Sequence, residues 1–163
     1  MAVVSYWTNA DGLRVRFGAH DSQNSRLGAS VSGENVKTVV AEFVYNDLPA
    51  PGGAGVLDQV YLPAGAYVIS TTFQVDTAFA GGTSLQVGTE QADGTDIDLD
   101  GFHTDAQLVT ASMTAGAVFA GTGADIGTVV DGTYDSFLKV TATGTFTAGS
   151  ARVIIDYLPK FDY

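Results

Sequence analysis

The chain has 163 residues, of which 45% are hydrophobic and only 15% charged, and it contains no cysteine. Without cysteine, disulfides and thiolate chemistry are excluded. The 18 acidic and 7 basic residues give a net charge of −11, which argues against nucleic-acid binding because such a chain repels phosphate backbones. No apolar run is long enough to cross a bilayer and no signal-peptide pattern is visible, so we expect neither membrane association nor export.

The N-terminal segment, residues 1–35, has the least regular pattern, and we expect an arm and loop there, followed by a domain over residues 36–163. Aromatic and arginine residues are interleaved in its first half. One interpretation is an edge strand with a solvated side. The other is an arm that contacts a partner protein, because Trp, Tyr and Arg are enriched where interfaces are anchored. The predicted contact residues at this interface are Tyr6, Trp7, Arg14, Arg16 and Phe17.

Strong strand patterns begin after this segment. Val36–Asn46 is apolar on both faces, which predicts a strand in the centre of a sheet. A second strand starts after the turn at Pro63–Gly65, and its period of two predicts that Tyr67, Ile69, Thr71, Phe73 and Val75 share the core face.

The second half of the chain continues with short strands. A turn at Gly81–Gly82 leads to a strand over 83–90, and weaker strand patterns cover 107–113 and 117–120, with a short helix at 104–113 as the alternative. Residues 137–146 and 151–157 predict a hairpin joined at 147–150. Eight or nine short strands with turns about every ten residues predict an all-β, single-domain β-sandwich, specifically a jelly roll.

The segment Asp96–Gly101 alternates carboxylates with apolar residues and matches the first half of a calcium-binding loop. Gln107 stands where such a loop needs a bidentate Glu. The same alternation is typical of a strand with one solvated, acidic face. We favour the acidic strand, and the weak calcium candidates are Asp96, Asp98 and Asp100.

Catalytic patterns are missing from the sequence. No Ser lies in a nucleophile elbow, and the Gly-rich runs at 52–55 and 121–127 are not followed by Lys. His20 and His103 lie in polar, loop-like surroundings, which predicts surface histidines rather than zinc ligands. We therefore expect no enzymatic activity, no cofactor and no resident metal.

Five sequence segments, taken in their order along the chain, are similar to segments of a known group of proteins. Trp7 followed by residues 9–13 is a further similarity to that group. These segments resemble small virion structural proteins of tailed bacteriophages, particularly short-tailed marine and cyanobacterial phages. The segments are Val60–Ala66, Val75–Phe79, Leu85–Thr89, Asp93–Phe102 and Gly144–Leu158.

This resemblance implies a capsid decoration (cement) protein located on the capsid surface of the virion and lacking catalytic residues. The partner would be the major capsid protein, and the chain would form a homo-oligomer, with a trimer favoured. The alternative is a receptor- or glycan-binding module of a phage head or tail fibre, which would be expected to present exposed aromatic platforms.

Overall fold

The computed structural model describes residues 5–8, 14–17, 36–48 and 54–160. The chain forms two compact units, Met1–Gly33 and Glu34–Tyr163. In the first unit, β1 (Ser5–Thr8) and β2 (Arg14–Phe17) pair antiparallel. The strand expected within residues 13–17 is thus present, and its described partner is β1 rather than a strand of the sandwich.

The second unit is built from strands and one turn of 3₁₀ helix at Tyr45–Asp47. Turns at positive-φ glycines, such as Gly65 after Pro63 and Gly81 before Gly82, separate several of the strands, as expected from the sequence. The strands in the described residues are β3 (Lys37–Val44), β4 (Ala54–Leu62), β5 (Tyr67–Gly81), β6 (Ser84–Glu90), β7 (Asp96–Val109), β8 (Val118–Ala120), β9 (Ser136–Thr143) and β10 (Phe146–Leu158).

These strands form two four-stranded antiparallel sheets, which we call the front sheet (β3-β10-β5-β8) and the back sheet (β4-β9-β6-β7). The pairing is nested along the chain. β3 pairs with β10, β4 with β9, β5 with β8, and β6 with β7. The predicted all-β sandwich is confirmed. The described residues contain no helix that is long and apolar enough to cross a membrane.

The core lies between the sheets and centres on Phe73 of β5. Its ring contacts Phe43 edge-on at 6.0 Å, Phe119 at 6.3 Å and Phe79 at 6.5 Å between centroids. Burying aromatic side chains of this size dominates the stability of a core.

The alternation along β5 agrees with the prediction only in part. Thr71, Phe73 and Val75 are buried as expected, but Tyr67 and Ile69 are exposed and Val68 is buried instead. The register with β10 shifts between Ser70 and Val68, so Ile69 is the extra residue of a β-bulge. An extra residue reverses the faces of all residues beyond it.

Two further predictions of strand placement are wrong. β9 and β10 do not form a hairpin, because β9 belongs to the back sheet and β10 to the front sheet, and the chain turns between them at Gly144. The predicted turn at 147–150 lies inside β10, where the register with β5 is irregular. β3 is an edge strand rather than a central one, so its second apolar face contains exposed valines. The helix considered at 104–113 is also wrong, because β7 extends to Val109.

Candidate interaction surfaces

The N-terminal hairpin brings together the five residues predicted from the sequence to make contacts. Its register places Tyr6 opposite Arg16, Trp7 opposite Val15, and Ser5 opposite Phe17. Arg14 is opposite Thr8 in the same register. This arrangement combines aromatic and cationic residues on one short ribbon, and their contact role stays a prediction.

The outer face of the front sheet is open and mixed in character. Arg152 on β10 lies between Glu42 on β3 and Gln74 on β5 in neighbouring register positions. Its guanidinium donates two hydrogen bonds to Asp76, at 2.8 and 3.2 Å. Asp76, and to a lesser degree Glu42, raises the pKa of Arg152. Glu42, Asp76 and Arg152 line a shallow depression of about 280 Å³, together with Phe43, Val44, Asp47, Ser150 and Ala151.

The outer face of the back sheet is covered around Lys139, although Tyr61 on the same face is exposed. Lys139 on β9 and Glu90 on β6 are buried there, with Lys139 Nζ 2.7 Å from the Glu90 carboxylate and also bound to Asp96. Burial alone would lower the pKa of Lys139, but its hydrogen bonds and ion pairs with Asp96 and Glu90 raise it. A Cβ atom on Gly88, opposite Lys139, would overlap the β7 backbone at Asp98 and Leu99. β7 therefore covers the outer face at Gly88, where the register of β6 with β7 is irregular.

The three calcium candidates are not used alike in the structure. Asp96 is engaged by Lys139, whereas Asp98 accepts a hydrogen bond from the Asp100 backbone N–H at 3.2 Å. No three His, Cys, Asp or Glu residues within the described ranges are grouped so that they could hold a metal ion. The candidates stay a sequence-based hypothesis.

Asp125 joins Asp98 and Asp100 at the β7 bulge, which the sequence did not reveal. Its backbone N–H donates to the Gly101 carbonyl at 2.9 Å, and its Oδ2 is buried without a hydrogen-bond partner. Burial, followed by the charges of Asp98 and Asp100, raises the pKa of Asp125 to about 6. Burial, the hydrogen bond with Asp98 and that carboxylate's charge also raise the pKa of Asp100.

His103 is fully buried, so its predicted surface position is wrong. Its Nε2 lies 3.2 Å from Thr71 Oγ1 and its Nδ1 lies 3.2 Å from Gln107 Oε1. Because the amide oxygen can only accept, Nδ1 carries the proton and Thr71 donates to Nε2. Burial, partly offset by the Gln107 bond, lowers the pKa of His103 to about 4. The imidazole is therefore a neutral bridge between the sheets at physiological pH.

An aromatic cluster on the surface was also missed from the sequence. Tyr61 is exposed and packs against Phe137, with ring centroids 6.0 Å apart and an interplanar angle of 34°. Tyr157 lies near enough for Tyr61 to contribute, after burial, to its raised pKa. Tyr61 and Phe137 are opposite each other on β4 and β9, a pairing that only the sheet register reveals.

Two solved structures share this fold. The first is the capsid asymmetric unit of cyanophage Pam1, with a TM-score of 0.57 and 21% sequence identity, covering 87% of this chain and 99% of the matched chain. The second is the capsid of Ralstonia phage GP4, with a TM-score of 0.51 and 16% identity, covering 77% of this chain and 86% of the other. No protein-family model and no curated protein matches the chain.

Proposed function

We propose that this chain is a structural protein of a bacteriophage virion, acting as a decoration (cement) protein on the outer surface of the capsid. The observation that carries the proposal is the fold likeness to the Pam1 capsid chain, which extends over 99% of that chain. A second phage capsid with the same fold supports it. The resemblance in the order of sequence segments is an independent argument for a virion protein that lacks catalytic residues.

We infer that the sandwich is a jelly roll. Its strands pair as one long antiparallel ribbon, which begins with β3 paired to β10 and ends with β6 paired to β7. The ribbon is wrapped so that its four strand pairs form two sheets. Eight strands in two sheets with Greek-key connections define that architecture, which viral capsid domains use. The fold alone does not distinguish a shell subunit from a protein bound to the shell.

The charge distribution favours contact through the N-terminal hairpin. Residues 1–33 contain three arginines and two acidic residues, whereas residues 34–163 contain 16 acidic and four basic residues. The hairpin is therefore the cationic part of a strongly acidic protein. Its Tyr6, Trp7, Arg14, Arg16 and Phe17 are the residue types that anchor interfaces, and we assign them to the contact with the major capsid protein or within a trimer.

Cement action follows from many weak contacts made at once. A packaged genome pushes outward on the shell, so a clamp gains by burying surface across each seam. Several subunits linked in a homo-oligomer bind with an avidity far above that of a single contact. A trimer suits positions of threefold symmetry on a shell.

Co-sedimentation of the purified protein with capsids that lack it, followed by electron cryo-microscopy, tests this function. We expect stoichiometric, regularly spaced binding to the outer surface. Binding to host cells or polysaccharide but not to shells would contradict the cement role and favour the fibre module.

Deletion of residues 1–18 tests the role of the hairpin. We expect the truncated protein to keep its circular dichroism spectrum and unfolding cooperativity but to lose co-sedimentation with shells. Retained binding would place the contact elsewhere on the molecule. A matched full-length variant, W7A together with R16A, separates loss of side chains from loss of the segment.

The fibre-module alternative has one observation in its favour, the exposed Tyr61 packed against Phe137. Aromatic faces of this kind stack on sugar rings, and such a module would be expected to present an exposed aromatic platform. A glycan array with the wild type and the Tyr61→Ala variant tests it. Binding that disappears in the variant would support the module, and no binding by either protein would reject it.

A further inference from the structure

Among the described residues, four strands of the sandwich lie at sheet edges, and they differ in how their unpaired backbone groups are protected. β8 has only three residues, and β4 and β7 have register shifts relative to their neighbours. β3 has eight residues and pairs with β10 without a single shift. Proteins normally shorten, bulge or charge an exposed edge, because a long regular one offers a template for another strand. β3 is such a template.

Its outward face has a symmetric pattern of side chains. Val36, Val40 and Val44 occur at intervals of four residues and are 38%, 49% and 44% exposed. Thr38 and Glu42 lie between them, so the face has the order Val, Thr, Val, Glu, Val and is nearly palindromic about Val40. A twofold interface requires a surface that is complementary to itself, and a palindromic strand provides one.

We propose that β3 pairs antiparallel with β3 of a second copy across a twofold axis at Val40. This register sets Val40 opposite Val40 of the second copy, each Val36 opposite Val44, and Thr38 opposite Glu42. All three exposed valines then gain apolar partners across the strand pair. The contact concerns the isolated protein, so it stands or falls independently of shell binding.

Neighbouring registers are less favourable. An axis at Ala41 sets Val40 against Glu42, and an axis at Glu42 brings two carboxylates together. An axis at Val39 sets Val36 against Glu42. Of these axes, only the one at Val40 sets each exposed valine opposite another valine, and apolar cross-strand pairs of this kind are stabilising.

The row of residues that begins with Val40 continues across the front sheet. Val40 pairs with Ile154 on β10, which in turn pairs with Thr72 on β5. Joining two copies at β3 gives one continuous eight-stranded sheet, and the free N–H and C=O groups of β3 pair with each other. One strand pair buries less than a standard interface, so we expect micromolar affinity, strengthened wherever copies are concentrated.

Single-cysteine variants test the register directly, because the chain has no cysteine of its own. Opposed residues in an antiparallel pair have Cα atoms about 4.5–5.5 Å apart, within the range that a disulfide bridges. We expect V40C to form a disulfide-linked dimer on mild oxidation. V36C and V44C should cross-link only when mixed with each other.

Val118 provides the matched control, since it is 61% exposed on β8 at the opposite edge of the same sheet. V118C should show only background cross-linking. If V40C cross-links no faster than V118C, the proposal is wrong. If V36C or V44C cross-links alone as fast as V40C, the twofold axis is not at Val40, and the proposal is equally wrong.

Sedimentation equilibrium of the full chain provides a second, independent measurement. V40K places two ammonium groups opposite each other, and we expect self-association at β3 to weaken by at least about tenfold. Two variants serve as controls. V118K adds the same charge at the opposite edge, and V40T changes polarity at position 40 but keeps the branched shape. Both should have a dissociation constant within a few-fold of that of the wild type. A V40K protein that remains folded, and in which association beyond any trimer made by the N-terminal hairpin is as strong as in the wild type, would overturn the proposal.

Discussion

The outer faces of the two sheets differ in a way that separates stability from recognition. On the back sheet, Lys139 and Glu90 are buried beneath the irregular strand β7. On the front sheet, the comparable ion pair of Arg152 and Asp76 is about one-third exposed, and Val40 and Val118 project into solvent. Both faces carry a cation bound to a carboxylate, but only the Lys139–Glu90 pair is shielded from water.

An ion pair between a cation and a carboxylate therefore has a different role on the back sheet than on the front sheet. A buried charge that loses its partner cannot be solvated, so its partner becomes essential to the fold. An exposed pair is screened by water and contributes little to stability. The buried pair on the back sheet therefore helps to fix the structure, and the solvated pair on the front sheet leaves its face open to other molecules.

The sharpest test of the comparison is to remove the buried cation. K139M leaves Glu90 as a buried carboxylate without its ammonium partner, and we expect a loss of about 3–5 kcal/mol in the free energy of unfolding. Urea denaturation followed by circular dichroism measures it. The double variant K139M/E90L removes both charges and should recover part of the loss. A cost below about 1 kcal/mol for K139M would mean that water reaches this face.

The pH dependence of stability tests the groups beside β7. The ordinary pKa of His103 is 6.5 and burial lowers it to about 4, so its stabilising contribution is complete above pH 6.5 and is lost as the pH falls towards 4. The contribution of Asp125 to stability depends on pH in the opposite direction. Its pKa is raised from 3.8 to about 6, so stability increases as the pH falls through 6. The two contributions offset each other in the wild type.

Asp125→Asn removes one side of this balance. We expect the variant to be more stable than the wild type at pH 7, and to lose stability more steeply between pH 6.5 and 4, by up to about 3 kcal/mol from His103. H103Q should show the reverse, because only the Asp125 contribution then remains and stability rises as the pH falls from 6.5 to 4. Unfolding midpoints measured at several pH values check both. Identical pH profiles for D125N and the wild type would contradict the raised pKa of Asp125.

Much of the fold could be predicted from the sequence because strand alternation and glycine turns are local signals. Phe73 and Val75 follow the period of two, and Gly81–Gly82 interrupts it. The register could not be predicted, since the bulge at Ile69 is defined by its pairing with β10. Likewise, the turn was predicted at 147–150 but lies at Gly144, and the sheet that β10 then joins is decided by distant strands.

The candidate surfaces were harder to predict for the same reason. A strand that is apolar on both faces looks alike whether it lies between other strands or, as β3 does, presents valines at an open edge. His103 has polar neighbours in sequence, but its partner Thr71 comes from another sheet. The pairing of Tyr6 with Arg16 places predicted contact residues together, and whether they bind a shell is decided by the partner.

The smallest expected effect completes the comparison. R152M makes on the front sheet the same kind of change as K139M on the back sheet, replacing a paired cation with a flexible apolar side chain. We expect it to cost less than about 1 kcal/mol, because Asp76 is solvated once its partner is gone. A double-mutant cycle with D76A should give a coupling energy in that range and a dependence on salt. A cost equal to that of K139M would mean that the front face is not open to water, and the valines of β3 could not then serve as a docking edge.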